Sequence, residues 1–321
     1  MADVVRARAH ANIALSKYWG KQETGYNVPA TPSLSLALDR LVTTTTVQSI
    51  DSSRDEIHLN GNPASERDAR RLGIYLDFWR GAGLIEGAFR IDSSNDFPTA
   101  AGLASSSSGF AALAAALAAH ANRSLDNAEI SRLARRGSAS AARSVPGGLA
   151  ELLTGEDPDS ALVMKPEDVP WGMVVAVVDS PAKEIGSTEG MNLSRQTSPF
   201  YSAWVEAARE DFHAIRKACL TFDLEKAGSV MEANMYAMHT TMLSTRPALL
   251  YWSEASLTLL REVREWRKSG LEVWATVDAG PHVVFLTPRE SLDTVAKSAS
   301  PIPGVREALA CLPASGAAVI S

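Results

Sequence analysis

Small residues between Phe97 and Gly109, in the stretch FPTAAGLASSSSG, have the clearest chemical meaning in this sequence. The alanine-rich run FAALAAALAAH follows directly, and its composition predicts a helix. Backbone N–H groups at a helix N-terminus lack intrahelical partners and the helix dipole favours an anion there, so this loop is suited to a phosphate. The stretch lacks the GKS or GKT ending of a Walker P-loop. A serine-rich turn that caps a buried helix is the alternative interpretation.

Two lysines and a tyrosine lie close together in the stretch ANIALSKYWGK, residues 11–21. Lys17, Tyr18 and Lys21 place two ammonium groups and a phenol within five residues. Such donors can hold an anionic ligand through charge-assisted hydrogen bonds. The solvated end of a strand is the alternative interpretation of the same pattern.

A second group of donors occurs in GSASAARSVPGG, residues 137–148. Ser138, Ser140 and Arg143 lie within six residues in a background of small side chains. The planar guanidinium of arginine can bind a carboxylate at two points, which predicts a carboxylate or phosphate ligand for this group. Close packing of a helix with small residues would explain the same composition.

Polar residues also follow two apolar segments in the second half of the chain. Lys183, Ser187 and Thr188 in KEIGSTEGM come just after an apolar strand-like run. Asp278 lies in TVDAGP, where a strand ends and a tight turn begins. An Asp at such a position commonly serves the turn itself. Next to a phosphate site, it becomes a candidate base or a group that orients an alcohol.

The histidines and cysteines favour structural interpretations. His239 lies in the Met-rich helical stretch MEANMYAMHTTM and is expected to be packed and hydrogen-bonded, whereas His282 follows the DAGP turn and can line a site there. Cys219 and Cys311 have no disulfide framework or metal-ligand spacing, so both are expected to be small buried hydrophobic residues.

The elements that must position these residues can be read from periodicity and turn signals. Alternation predicts a strand over 4–15, further strands over 43–50, 55–59 and 87–94, and an Asn60-Gly61 turn. Apolar spacing predicts helices near 65–83, 127–136 (with an Asp126–Glu129 capping box), 199–219, 223–241 and 254–268. The run WGMVVAVVDS predicts a strand buried on both faces, and LEVWATVD and HVVFLT predict two more. The mixture indicates an α+β protein, divided near Asp179 into residues 1–179 and 180–321.

Composition excludes several functional classes. The 321 residues are 45% hydrophobic and 21% charged, which is ordinary for a soluble globular protein. A net charge of -6 gives no support for nucleic-acid binding. No apolar run approaches the roughly 20 residues that span a bilayer, and a secretory leader is not expected. A cytoplasmic protein without membrane or nucleic-acid partners is predicted.

Seven segments together resemble the mevalonate diphosphate decarboxylases of the GHMP kinase superfamily. They occur in the family's order as ANIALSKYWGK, PSLSLALD, FPTAAGLASSSSG, GSASAARSVPGG, STEGM with TSPFY behind it, MHTTMLSTRP followed by YW, and TVDAGP. The resemblance implies the GHMP kinase fold, with an N-terminal domain like domain 2 of ribosomal protein S5 and a ferredoxin-like C-terminal domain. It also implies a homodimer, ATP and Mg²⁺ as cofactors, and a small-molecule substrate in the cleft between the domains.

The implied reaction phosphorylates the tertiary 3-hydroxyl of mevalonate 5-diphosphate with ATP. Loss of phosphate and CO₂ then gives isopentenyl diphosphate. By position, the resemblance implies a catalytic Asp278 and Lys17, substrate contacts by Tyr18, Lys21, Ser138, Ser140, Arg143 (on the carboxylate) and Ser187, and ATP-phosphate contacts by Ala104, Ser105, Ser106 and Lys183. Protein ligands of Mg²⁺ are not predicted.

Three positions depart from the family's usual pattern, namely Thr31-Pro32 before SLS, Pro146 before the Gly-Gly pair, and His282 after DAGP. None of them removes a catalytic residue. They leave open a mevalonate 5-phosphate decarboxylase, or a kinase that stops at the 3-phosphate, as alternative functions.

Overall fold

Two β-sheets with helices packed against them make up the protein, which confirms the predicted α+β class. The computed structural model describes residues 4–22, 26–97, 105–122, 124–179 and 184–321. The strands are β1 (Val4–Ser16), β2 (Ser33–Ile50), β3 (Glu56–Leu59), β4 (Asn62–Pro63), β5 (Ala88–Asn95), β6 (Leu149–Leu152), β7 (Ser160–Met164), β8 (Trp171–Val178), β9 (Trp274–Val277), β10 (Val283–Pro288), β11 (Val305–Cys311) and β12 (Ala318–Ile320).

The helices are distributed over both halves of the chain. They are α1 (Glu66–Gly81), α2 (Ser105–His120), α3 (Asn127–Gly137), α4 (Ala141–Ser144), α5 (Ser187–Thr197), α6 (Tyr201–Leu220), α7 (Leu224–Leu243), α8 (Glu254–Lys268) and α9 (Leu292–Ala299). The predicted helices near 199–219, 223–241 and 254–268 are therefore confirmed as α6, α7 and α8.

The first sheet carries the N-terminal cation-bearing segment. Its strand order is β12-β1-β2-β5-β3-β4, and β6 and β7 extend it from β2. β1 pairs antiparallel with β2 from Val4 to Ser16, with register shifts that mark irregularities. The buried side chains of α2 are mostly alanines, and their small size lets this helix lie close against β1 and β2. Lys17 therefore leaves the sheet at the end of a strand that is paired and packed along its length.

The second sheet has the order β11-β8-β10-β9, and all of its strand pairs are antiparallel. Every residue of β8 is buried, as the apolar run predicted. Met173, Val175 and Val177 pack into a core that includes side chains of α6 and the first sheet. The alternate residues of β8 pack against α8 and α9. Asp278 follows the last residue of β9, so this sheet determines its position.

One tight turn and two helix starts were predicted correctly, because each depends on residues that are close together in the sequence. Asn60 and Gly61 have positive φ angles of 51° and 77°, which the predicted hairpin turn requires. The capping box between Asp126 and Glu129 is present at the start of α3. The side chain of Ser65 caps α1 at the predicted start of that helix.

The sequence did not predict the strands β4, β6, β7, β11 and β12 or the helices α4, α5 and α9, and the strand predicted over 43–50 is only the second part of β2. β6 has four residues, and its place depends on pairing with the distant β2, which no local pattern encodes. β12 pairs with β1, and β8 belongs to the second sheet although it precedes residue 179. The division of the chain into residues 1–179 and 180–321 stays a prediction.

Candidate active site

A cleft with a volume of about 1040 Å³ is lined by α1, α2 and α3 together with α5 and the segment after β9. Among the described residues, its seven cationic side chains are Lys17, Lys21, Arg67, Arg70, Arg71, Arg136 and Arg143. Its four carboxylates are Asp68, Glu184, Glu189 and Asp278. Cations therefore outnumber carboxylates here, although the whole chain has a net charge of -6. Such a concentration attracts an anionic ligand.

Lys17 and Asp278 form an ion pair at the wall of this cleft. Lys17 Nζ lies 2.5 Å from Asp278 Oδ1 and also donates to the Ala14 carbonyl oxygen at 3.0 Å. The Lys17 side chain is 1% exposed, whereas that of Asp278 is 33% exposed. Burial lowers the pKa of the Lys17 amine, and the Asp278 carboxylate opposes that effect. The pair presents a carboxylate to the cleft with a buried ammonium behind it.

Arg143 lies in α4 and is buried, and it forms no direct ion pair with a carboxylate of the described residues, although the charge of Asp278 acts on it from a greater distance. Its Nε donates to Ser35 Oγ at 2.8 Å, and Nη1 donates to Ser33 Oγ at 2.5 Å. A longer contact of 3.4 Å joins Nη2 to Asn12 Oδ1. Burial lowers the pKa of the guanidinium, but an arginine stays cationic at neutral pH. A buried cation held by neutral oxygens and open to a cleft is suited to binding an anion.

Three serine hydroxyls form a chain beside Arg143. Ser138 Oγ lies 3.1 Å from Ser140 Oγ and 3.4 Å from Ser106 Oγ. All three residues line the cleft, and Ser106 lies in the first turn of α2. Asn12 Nδ2 donates to the Ser140 carbonyl oxygen at 2.9 Å, which ties this group to β1. A hydroxyl group can both donate and accept a hydrogen bond, so these three serines can hydrogen-bond to the oxygen atoms of a phosphorylated ligand.

Tyr18 and Lys21 lie on the same wall. The Tyr18 hydroxyl is buried and has no hydrogen-bond partner among the described residues, and burial raises the pKa of this phenol, so it stays a donor. Lys21 Nζ donates to Asn27 Oδ1 at 2.7 Å and to Thr188 Oγ1 at 3.2 Å. Burial, followed by the charge of Arg71, lowers the pKa of Lys21 to about 8. An orphan donor and an amine held by neutral oxygens both fit an anion.

The other predicted site residues have mixed outcomes. Ser187 lines the cleft at the start of α5, and Ser105 is the first residue of α2. Ala104 and Lys183 lie outside the described residues, as does most of the small-residue loop before α2. No described residues form a group of three or more His, Cys, Asp or Glu that could hold a metal ion.

The histidines and cysteines are structural. His239 is buried, its Nε2 lies 3.2 Å from the Val277 carbonyl oxygen, and burial lowers its pKa to about 4. His282 Nδ1 accepts from the Val178 N–H at 3.0 Å inside the second sheet, and His282 is not part of the cleft wall. Cys219 and Cys311 are free and buried, as expected.

The sequence reading missed three arginines in α1. Arg67, Arg70 and Arg71 have the i, i+3, i+4 spacing that places side chains on one face of a helix, and all three line the cleft. That spacing within ERDARR was the available signal. Alone, it is equally typical of a solvated helix face, because only the packing of α1 determines what its face meets.

Fold and site together are typical of an enzyme that acts on an anionic small molecule. Residues 9–163 match the family model "Diphosphomevalonate decarboxylase-like N-terminal domain", and residues 173–307 match "Mevalonate 5-diphosphate decarboxylase C-terminal domain". The chain belongs to the diphosphomevalonate decarboxylase family, as its motifs predicted, and has the GHMP kinase fold.

Individual relatives agree with the family models. The diphosphomevalonate decarboxylase of Bos taurus is 35% identical over 313 residues, covering 88% of this chain and 76% of that protein. The crystal structure of mevalonate diphosphate decarboxylase from Staphylococcus aureus has a TM-score of 0.94 and 34% identity, covering 100% and 99% of the two chains. A structure described as MDDEF in complex with MVAPP, AMPPCP and magnesium has the same TM-score of 0.94 and 34% identity over 100% of both chains.

Proposed function

We propose that the protein catalyses the ATP-dependent decarboxylation of mevalonate 5-diphosphate to isopentenyl diphosphate, with release of ADP, phosphate and CO₂. Membership of the decarboxylase family supports this reaction. The observation that carries it is the ion pair between the buried Lys17 and the partly exposed Asp278, in the same cleft as Arg143. The site groups match the functional groups of this substrate. The Asp278 carboxylate can accept a hydrogen bond from the hydroxyl, the Arg143 guanidinium can bind the carboxylate, and the other cations of the cleft can bind the phosphates.

Asp278 is proposed to orient the 3-hydroxyl of the substrate for phosphoryl transfer. A free Asp has a pKa of about 3.9, so its carboxylate is a weak base towards a tertiary alcohol. Early removal of the proton is not required, because phosphoryl transfer passes through a loose transition state that depends mainly on positioning and charge. The carboxylate aligns the hydroxyl and accepts its proton late. Lys17 holds the Asp278 carboxylate in place through the ion pair between Lys17 Nζ and Asp278 Oδ1.

Arg143 is proposed to hold the substrate carboxylate for the second step. The C3–O bond breaks and its electron pair leaves with the phosphate. The electron pair of the bond between C1 and C2 moves to form the C2=C3 double bond, and the carboxylate departs as CO₂. The guanidinium fork restricts rotation about that bond, and the hydroxyls of Ser33 and Ser35 hold the fork in place. Such alignment of reacting bonds supplies a large share of catalysis in sites of this kind.

Tyr18 and Lys21 are proposed to bind the diphosphate, and Ser187 is proposed as a further substrate contact. The orphan Tyr18 hydroxyl and the Lys21 amine, which is held by neutral oxygens, are donors that a diphosphate would satisfy. This pair favours the diphosphate over the monophosphate as substrate. Ser138 and Ser140 are proposed to contact the remainder of the substrate.

ATP is proposed to bind where α2 begins, with Ala104, Ser105, Ser106 and Lys183 at its phosphates. The fit rests on the excess of cations in the cleft and on the helix N-terminus beside Ser106. A structural neighbour binds AMPPCP and magnesium. Mg²⁺ would neutralise phosphate charge there, and it commonly binds through nucleotide phosphates and water.

Product analysis with ATP and mevalonate 5-diphosphate tests the proposal. Equimolar CO₂, ADP and isopentenyl diphosphate support it. A stable 3-phospho product would identify a kinase, and turnover of mevalonate 5-phosphate alone would identify the monophosphate decarboxylase. Absence of turnover with every substrate would refute an enzymatic role.

A cytoplasmic location and a homodimer are also proposed, on the family resemblance. No helix in the described part of the chain has the length and apolar character to cross a membrane. The free cysteines are compatible with a reducing compartment. Light scattering coupled to size exclusion tests the assembly, and a mass near twice 34.3 kDa is expected.

A further inference from the structure

The proposed mechanism depends on the position of Lys17 relative to Asp278, but the backbone of Lys17 is not hydrogen-bonded to a neighbouring strand among the described residues. The last paired residue of β1 is Ser16, which lies opposite Leu34. Lys17 comes after the end of this ladder, and its backbone N–H is buried. A buried backbone N–H needs a hydrogen-bond partner. That partner comes from a helix of the C-terminal half.

Asn234 in α7 supplies it. Lys17 N donates to Asn234 Oδ1 at 2.7 Å, and Asn234 Nδ2 donates to Asp211 Oδ2 in α6 at 3.0 Å. Asn234 is 0% exposed, and its neighbours on the helix include the buried Met231 and Met235. An amide in such surroundings is costly unless both of its ends are bonded. Both ends of this amide are bonded, one to the site and one to Asp211.

The partners determine which way the amide faces. The Lys17 N–H can only donate, and the Asp211 carboxylate can only accept. An amide has a donating and an accepting end, so one of its two orientations satisfies both partners and the other satisfies neither. Asp211 therefore orients the Asn234 oxygen towards Lys17.

A second contact anchors the same segment two residues further on. Trp204 Nε1 in α6 donates to the Trp19 carbonyl oxygen at 2.7 Å. α6 and α7 thus hold the main chain on both sides of Tyr18. α7 also packs against β9, the strand that directly precedes Asp278. Helix α7 therefore contacts both the backbone of Lys17 and the strand that leads to Asp278.

We infer that Asn234, oriented by Asp211, is a positioning residue that sets Lys17 against Asp278 for phosphoryl transfer. It touches neither substrate nor nucleotide in this role. Its loss should lower kcat and leave the binding of both ligands nearly unchanged. The inference rests on the proposed reaction, so turnover by the wild-type enzyme is measured first.

An exchange of the two polar groups tests the inference. Asn234→Asp keeps an acceptor for Lys17 but puts a second carboxylate against Asp211, so kcat should fall by about 10- to 100-fold, as expected for a small misplacement of a reacting group. Asp211→Asn in the same chain restores a donor opposite the new acceptor. The double variant should recover kcat to within about threefold of wild type, with KM for both substrates within about twofold throughout.

Further variants keep the test decisive if Asn234→Asp fails to fold. Asp211→Leu removes the group that orients the amide and should lower kcat by about threefold to tenfold at unchanged KM. Glu206→Gln removes an exposed carboxylate from the same helix and should have no effect. A folded Asp211→Leu variant with wild-type kcat would overturn the inference. So would a folded double variant no more active than Asn234→Asp, or a kcat loss matched by an equal rise in KM.

Discussion

Replacement of Arg143 by lysine tests whether the guanidinium binds the substrate carboxylate through two parallel hydrogen bonds. A guanidinium has five N–H groups, and three of its nitrogens contact Ser35, Ser33 and Asn12. Two N–H groups remain for a carboxylate. An ammonium has three donors, so keeping the two serine hydroxyls leaves one. Arg143→Lys therefore loses one charge-assisted hydrogen bond to the substrate while the positive charge remains.

The size of the effect follows from that loss. A hydrogen bond to a charged group is worth about 1.5–3 kcal/mol, which corresponds to a change in Kd of about 10- to 150-fold. We expect Kd for mevalonate 5-diphosphate to rise by this factor, and kcat/KM to fall by at least as much. The affinity for AMPPCP should change little, because the nucleotide is proposed to bind at the start of α2.

Calorimetric titration of each ligand measures the two affinities separately, and thermal unfolding checks that the variant is folded. Arg132→Lys is the matched control, since Arg132 lies in α3 outside the cleft wall and pairs with Asp159 at 3.4 Å. A folded Arg143→Lys enzyme with wild-type Kd and kcat/KM would refute the role. An equal loss of affinity for AMPPCP would also refute it, because the effect would then extend beyond the carboxylate.

The remaining predictions concern Asp278 and Lys21. Asp278→Asn keeps the shape but removes the charge, so substrate binding should survive while kcat falls by about 10²–10⁴-fold; a kcat above half of wild type would contradict the assignment. Wild-type kcat/KM should favour mevalonate 5-diphosphate over mevalonate 5-phosphate by at least about tenfold, and Lys21→Met should shrink that ratio; equal efficiencies would exclude the diphosphate preference. The Lys21 pKa of about 8 in the free protein should rise when an anion binds, so affinity is full below pH 8 and should fall above it by up to about tenfold per pH unit. Titration at several pH values measures that slope, and a slope that persists in Lys21→Met would show that another group causes it.

The parts of the site that were predictable are those encoded in continuous segments. Lys17 and Tyr18 follow a strand whose alternation was visible, and Asp278 follows a strand before a turn with clear chemistry. The small-residue stretch over residues 97–109 predicted the start of a helix, and α2 begins at Ser105 in that stretch. In each case the residue type and its position at the end of an element come from neighbours in the sequence.

The contacts that orient these residues were not predictable, because they join distant segments. Arg143 bonds to Ser33 and Ser35 across 110 and 108 positions, through the pairing of β2 with β6 that brings α4 beside the first sheet. Asn234 lies 217 positions from Lys17. A polar residue within a Met-rich helix gives no indication of its partner. Only the packing of α6 and α7 against β1 identifies it.

Burial explains how ordinary side chains would acquire the roles proposed for them. The Lys17 side chain is 1% exposed, and its burial lowers the pKa of the amine while the neighbouring Asp278 carboxylate opposes that effect, so the two charges interact with little screening by water. Arg143 is buried and forms no direct ion pair with a carboxylate among the described residues. An anionic ligand can therefore supply the ion pair that this guanidinium lacks in the free protein. In the proposed complex, the hydroxyl, the carboxylate and the diphosphate of one ligand would each bind one of these groups. A ligand that lacks one of them leaves a buried polar group unpaired, and that cost is the physical basis of selection between the diphosphate and the monophosphate.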